Sequence, residues 1–224
     1  MFTGIVEAVG TLKALKKHGR GFEVLVETPH SFGLADRVKL GDSIANNGVC
    51  LTVTKLSGNC FYADVSTETV NCTCFGNYAI GQKLNLELAC TPSTHLGGHI
   101  MQGHVDGVGT VISKTTLDDA YNIWIKAPSE LLRYIAPKGS IAVNGVSLTV
   151  NEIKDDAFRL TLIPHTQDAI SFDGFDEGCK VNLEVDVLAR YLERLFNFDA
   201  KKNGTNKSQG SGITMQTLLK NGFI

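Results

Sequence analysis

The sequence predicts an all-β protein: two tandem homologous six-stranded antiparallel Greek-key barrels followed by a C-terminal helix. Three observations lead there. First, part of the chain is written twice. Residues 44–53 read IANNGVCLTV and residues 141–150 read IAVNGVSLTV, identical at eight of ten positions. The echo extends from Gly4–Leu12 to Gly103–Val111 and from Leu84–Leu88 to Val181–Val185. A period near 98 residues is the length of a small domain and far too long for a solenoid repeat. Second, each copy is made of short alternating apolar and polar runs separated by turn residues, the pattern of a small antiparallel barrel. Third, each copy carries an Asn-Gly pair, Asn47-Gly48 and Asn144-Gly145. Both residues tolerate positive φ, so the pair marks a two-residue hairpin.

The elements follow in order. Copy one has candidate strands at Gly4–Leu12, Gly21–Glu27, Ser43–Asn46, Val49–Lys55, Cys60–Ser66 and Lys83–Leu88. Copy two has them at Gly103–Val111, Asn122–Lys126, Ser140–Val143, Val146–Ile153, Phe158–Ile163 and Lys180–Val185. Short helical turns are expected near Pro29–Leu34, Glu68–Phe75 and Pro128–Ile135, with residues 89–98 as the connector. After Asp186 the period changes: Leu188, Tyr191, Leu192, Leu195 and Phe196 recur at helical spacing, with Arg190, Glu193 and Arg194 on the other face. This helix, Val187–Phe198, has no counterpart after copy one. Lys201–Gly212 reads as a flexible polar linker, and Ile213–Phe223 as a short amphipathic end. The division expected is therefore 1–97, 98–186, a helix at 187–200 that does a job neither barrel needs, and a tail at 201–224.

Composition excludes several classes of function. The chain has 224 residues and a net charge of −2, so no global field draws it to nucleic acid or an anionic membrane. Lys16, Lys17, His18 and Arg20 form a basic cluster that a solvated turn explains. No apolar run approaches membrane-spanning length. Met1-Phe2-Thr3-Gly4 leads straight into the repeated motif, so no secretory leader is expected. The six cysteines (50, 60, 72, 74, 90 and 179) show no metal-type spacing. Five of them fall in the first copy and its connector, whereas a disulfide framework would have been duplicated with the domain. They read as reduced thiols of a cytoplasmic protein, with no metal and no cofactor.

Chemistry gathers beside the Asn-Gly turns. Val49, Leu51 and Val53 point one way along the strand, and Cys50, Thr52 and Thr54 the other. Copy two sets Val146, Leu148 and Val150 against Ser147, Thr149 and Asn151. A small barrel fills its interior with apolar side chains, so the polar rows face outward. An ordinary solvated strand is the plain alternative, but the recurrence of the row in both copies favours contact with a flat polar ligand. The copies differ where it matters: Cys50 corresponds to Ser147, Ile5 to His104 and Ala89 to Asp186. Helix capping competes with ligand contact at Asp186, and again at Glu68-Thr69 and at His165-Thr166, which follow the fifth strand of each copy.

These residues carry a resemblance that spans nearly the whole chain. Met1-Phe2-Thr3-Gly4-Ile5-Val6-Glu7, the NGVCLTV and NGVSLTV segments, Gly97-Gly98-His99 through Gly103-His104-Val105-Asp106-Gly107, and Leu162-Ile163-Pro164-His165-Thr166 together resemble riboflavin synthase of the α-subunit type. The resemblance implies a cofactor-free transferase. Two molecules of 6,7-dimethyl-8-ribityllumazine exchange a four-carbon unit and give riboflavin and 5-amino-6-ribitylaminouracil. It also implies a homotrimer joined by C-terminal helices, with each site between the N-barrel of one subunit and the C-barrel of its neighbour. Carried onto this chain, the N-barrel side uses Ser43, Cys50, Thr52, Glu68 and Thr69 with Phe2 nearby. The C-barrel side uses His104, Ser147, Thr149, Thr166 and Asp186. Cys50, His104, Ser147 and Asp186 are the catalytic candidates, and the group that takes the proton stays open among His104, Cys50 and water. The alternative is a non-catalytic lumazine- or flavin-binding antenna protein on the same double barrel. A flavin-dependent oxidoreductase would need a nucleotide-binding βαβ domain with a Gly-rich phosphate loop, and the sequence shows none.

Overall fold

The computed structural model describes residues 1–203. They divide into two compact units: Met1–Val187, which holds both copies, and a second that begins at Leu188.

Copy one is a closed barrel. Its strands are β1 (Ala8–His18), β2 (Gly21–Glu27), β3 (Ser43–Asn46), β4 (Val49–Ser57), β5 (Cys60–Val65) and β6 (Lys83–Leu88). The ladder order is β1-β2-β5-β4-β3-β6, antiparallel at every seam. The chain crosses over between β2 and β3, the mark of a Greek key, and the crossover holds a 3-10 turn and α1 (Leu34–Arg37). Phe32, Leu34 and Val38 of this crossover are buried with the barrel's own Val24, Ile44 and Phe61. α2 (Thr67–Cys72) follows β5 and is capped by Ser66, whose hydroxyl accepts from the Thr69 N–H at 3.1 Å.

Copy two repeats the plan with one break. β7 (Gly107–Leu117), β8 (Ala120–Lys126), β9 (Ser140–Val143), β10 (Val146–Thr149), β11 (Glu152–Lys154), β12 (Ala157–Leu162) and β13 (Lys180–Val185) form one sheet in the order β10-β9-β13-β7-β8-β12-β11. The two edge strands are the two halves of one segment, separated only by Val150 and Asn151, so the sheet is curled on itself. At the break the Val150 N–H donates to Gly139 O at 2.9 Å and the Asn151 N–H to Arg159 O at 2.8 Å. The backbone thus turns from one flank to the other. Copy one passes the same place with a register shift between Val53 and Lys55, a bulge that bends the strand without ending it.

Several boundaries differ from the sequence reading. β1 and β7 begin at Ala8 and Gly107, four residues later than expected, and run on to His18 and Leu117. Residues 4–7 and 103–106 form separate arms. α3 (Pro164–Ala169) is an additional helix; no side chain caps it at Ile163, so the local signal is only Pro164 in the first turn. α4 (Val187–Asn203) continues past the expected end and takes in the first three residues of the supposed linker. Ile213–Phe223 lies outside the described residues. Among those described, no helix is long and apolar enough to cross a membrane.

A buried amide network joins the two copies. Asn47 and Asn144 open the hairpin turns at φ 47° each, followed by Gly48 at 80° and Gly145 at 78°, as predicted from the Asn-Gly pairs. Within each copy the turn asparagine binds the β6 or β13 backbone: Asn85 N–H donates to Asn47 Oδ1 at 2.7 Å, and Asn182 N–H to Asn144 Oδ1 at 2.8 Å. Between copies the side chains exchange partners. Asn85 Nδ2 donates to Asn144 O and Asn182 Nδ2 to Asn47 O, both at 2.9 Å. Asn85 Oδ1 accepts from Ser171 N and Asn182 Oδ1 from Cys74 N, both at 2.7 Å. All four asparagines are buried and paired, so the network fixes how the barrels meet.

Candidate functional site

The arms before β1 and β7 are exchanged between barrels. Phe2 and Met101 face each other across the junction, their backbones bonded in both directions (Phe2 N to Met101 O 2.8 Å, Met101 N to Phe2 O 3.1 Å). Phe2, Met101, Ala45 and Ala142 form a small buried cluster there. Beyond it, Gly4 O accepts from Ser147 N of copy two at 2.9 Å, and Gly103 O accepts from Cys50 N of copy one at 2.9 Å. Val6 packs on the copy-two core and Val105 on the copy-one core. Gly4 and Gly103 both sit at φ 78°, and a Cβ on either would lie within 2.6 Å of the Cβ of Ser147 or Cys50. Only glycine permits both the backbone angle and that approach.

Each outward strand row is therefore flanked by the other copy's arm. The copy-one half-site has Cys50, half-buried under Gly103, then Thr52, exposed and paired in register with Ser43. The alternation is as expected: Val49, Leu51 and Val53 are in the core. Glu68 and Thr69 occupy the first turn of α2, with Glu68 exposed. Capping there belongs to Ser66, which frees the Glu68 carboxylate for contact beyond its 3.5 Å bond from Cys72. His104 is exposed on the arm that docks beside Cys50.

The copy-two half-site centres on Ser147. Its Oγ lies 2.7 Å from Nδ1 of His99, which is buried and tied down by its own N–H to Thr3 O at 3.1 Å. Burial lowers the His99 pKa, and the negative charge of Asp186 pulls the other way. The ring is thus held neutral beside a hydroxyl, with one nitrogen on that hydroxyl and a carboxylate within electrostatic reach. This arrangement can take or return a proton through Ser147. Thr149 is exposed further along the strand, and Thr166 sits half-buried in the first turn of α3.

Comparison with known proteins agrees with this architecture. The lumazine binding domain matches twice, at residues 3–89 and 102–186. Over the full length of both chains the sequence is 49% identical to riboflavin synthase of Photobacterium phosphoreum and 38% identical to that of Bacillus subtilis. The chain belongs to the riboflavin synthase family. Among solved structures it is similar to LumP complexed with 6,7-dimethyl-8-(1'-D-ribityl) lumazine, with a TM-score of 0.74 and 29% identity over 83% of this chain and 99% of that one. LumP complexed with riboflavin gives a TM-score of 0.76 at 30% identity over the same shares.

Within this riboflavin synthase frame, two placements differ from the sequence reading. His104 goes with the copy-one row, because its arm crosses over; Ile5 takes the corresponding place beside Ser147. Phe2 is 1% exposed and acts as a plug between barrels. The reading also missed two kinds of residue. His99 appeared only as context, and its distance from Ser147 in sequence hid the contact. Glu87 and Glu184 sit at matching places in the repeated LNLEL and VNLEV runs. Both lie on the face opposite the core-facing Leu84, Leu86, Val181 and Leu183, and the available signal was the repetition of the same carboxylate in both copies. A cleft of about 820 Å³ lies beside Ser43, bounded by Ile5, Arg37, Asp42, Ala89 and the connector near His95.

Proposed function

We propose that this chain dismutates two molecules of 6,7-dimethyl-8-ribityllumazine into riboflavin and 5-amino-6-ribitylaminouracil. One lumazine gives up a four-carbon unit and is left as the aminouracil, and the other accepts it and becomes riboflavin. The observation that carries the reading is the pair of half-sites, alike in strand, turn and crossing arm but unequal in chemistry. Copy one offers a thiol beside a histidine arm. Copy two offers a hydroxyl held by a neutral imidazole near a carboxylate. Two similar pockets suit two molecules of one compound, and unequal ones let one donate while the other accepts.

Most of the acceleration then comes from holding two lumazines in register, a contribution on the order of 7–11 kcal/mol. The C7 methyl of the lumazine is acidic through conjugation, so modest base assistance suffices. His104 or Cys50 would receive that proton on one half-site, directly or through water, and the Ser147–His99 pair on the other. Ser43, Thr52, Glu68 and Thr69 would bind the polar edge and ribityl chain of one ligand, and Thr149 and Thr166 those of the second.

The working unit is a homotrimer, each catalytic site joining the copy-one half of one subunit to the copy-two half of its neighbour. The support is α4, whose Tyr191, Leu192, Leu195 and Phe196 are all more than half exposed within the described chain, an apolar stripe of the kind that marks a protein interface. The segments 1–97, 98–186 and 187–200 serve as two lumazine domains and the oligomerisation helix. Six free cysteines suit a cytoplasmic location.

Purified protein mixed with the lumazine alone should produce riboflavin absorbance without metal or added cofactor. Lumazine binding with no riboflavin formed would select the antenna reading instead. Truncation after Asp186, followed by sedimentation, tests assembly. A shortened chain that keeps both the full oligomer mass and full activity would remove α4 from that role.

A further inference from the structure

Two carboxylates outside the half-sites hold the exchanged arms in place. Glu87 on β6 accepts from Thr3 N at 2.6 Å and Thr3 Oγ1 at 2.7 Å through one oxygen, and from Gly4 N at 2.9 Å through the other. Glu184 on β13 does the same for the second arm, accepting from Gln102 N at 2.6 Å and Gly103 N at 3.0 Å. Both glutamates are 5% exposed. Among the described residues no lysine or arginine bonds either one; backbone N–H groups, with the Thr3 hydroxyl on Glu87, are their counterparts. Leaving a carboxylate buried on such partners is costly unless its geometry is used.

The geometry has a use. Gly4, gripped by Glu87 of copy one, places its carbonyl on Ser147 N of copy two. Gly103, gripped by Glu184 of copy two, places its carbonyl on Cys50 N of copy one. We propose that Glu87 and Glu184 are crossed positioning residues: each glutamate sets the half-site of the opposite barrel by clamping the arm that docks there. Glu184 sets the Cys50 half-site and the reach of His104, and Glu87 sets the Ser147 half-site and the backbone anchor of His99 on Thr3. The barrels are thereby coupled at the sites themselves, independently of the asparagine network.

This inference rests on the reading of the two rows as ligand half-sites, so its test has two arms. The first needs no ligand. Native-state amide hydrogen exchange on the whole wild-type protein should show Gly103 and Cys50 amides with one shared protection, and Gly4 and Ser147 amides with another. A Cys50 amide that stays protected while Gly103 exchanges would overturn the clamp.

The second arm uses riboflavin labelled with carbon-13, which gives one bound resonance per half-site. The resonances are assigned by Cys50→Ser and Ser147→Ala. Glu184→Gln should displace and weaken the resonance that Cys50→Ser moves, and Glu87→Gln the one that Ser147→Ala moves. The loss of one well-formed hydrogen bond corresponds to roughly tenfold weaker binding at the crossed site. Each variant acting on its own barrel's resonance, or both acting on the same one, would overturn the crossing. A wild-type protein that binds no riboflavin at all would count against the functional reading, and amide exchange would still decide the clamp. Variants that fail to fold leave that wild-type measurement as the deciding one.

Discussion

Truncating Asn182 tests whether the buried amide network joins the barrels. Asn182 is 1% exposed and spans the junction from copy two: its Oδ1 accepts from Cys74 N at 2.7 Å and its Nδ2 donates to Asn47 O at 2.9 Å. Asn182→Ala leaves a buried N–H and a buried C=O of copy one without their partners, each costing about 1–3 kcal/mol. A cleft of about 410 Å³ runs past Asn47, Cys74 and Asn144, and water entering there would recover part of this. The expected loss is therefore about 3 kcal/mol, a large share of the roughly 5–15 kcal/mol of an ordinary domain. With a urea slope of about 2–3 kcal/mol/M, the midpoint should fall by about 1–1.5 M. The single tryptophan, Trp124, lies on β8 and reports copy two alone, while circular dichroism reports both copies. At fixed protein concentration the two probes should coincide in the wild type and separate in Asn182→Ala. Asn85→Ala, its mirror across the junction, should behave alike, and the double variant should lose less than the sum. Losses below about 1 kcal/mol in both single variants, with coincident probes, would refute the idea that this network couples the barrels.

Other outcomes follow from the half-sites and their supports. Cys50→Ser makes the two rows alike at that position, and turnover should fall severalfold with ligand affinity little changed, read by single-turnover kinetics with the lumazine. His104→Gln should show the same split, and unchanged rates in both would leave positioning alone to carry catalysis. His99→Gln removes the imidazole bonded to Ser147, and kcat should drop by about 100-fold or more with KM nearly constant; a parallel rise in KM would make His99 a binding group. Burial pushes the Glu184 carboxyl up to about 7, helped by the Asp106 charge and opposed by the N–H groups of Gln102, Gly103 and His104. Above the carboxylate's ordinary range and below about 7, the folded chain then holds a proton that the unfolded chain has released. Its contribution to stability is full below pH about 4.5 and is lost as pH rises through about 7. Glu184→Gln should flatten the fall in denaturant midpoint across that window, and an unaltered slope would show that Glu184 does not titrate there.

Much of the fold was legible because its signals are local. Strands Gly21–Glu27, Ser43–Asn46, Lys83–Leu88, Ser140–Val143 and Lys180–Val185 fall where alternation and turn residues put them. Period-two patterning records which face of a strand meets a core, and the Asn-Gly pairs record positive φ. Both are properties of neighbours in the chain. Cys50, Thr52, Ser147 and Thr149 could be placed outside the barrels for the same reason.

The sequence by itself determined the duplication, the double barrel and the outward rows, because burial alternation and turn chemistry are written residue by residue. Tertiary structure alone decided that the arms change barrels, that the arm carrying His104 docks through Gly103 on Cys50, that His99 meets Ser147 across 48 residues and that Phe2 is a plug. No periodicity encodes where a short arm docks. That is settled by two glycines that admit close approach, two buried carboxylates that hold the backbone and four asparagines that fix the barrels. Each has its partners 31 or more residues away in the chain.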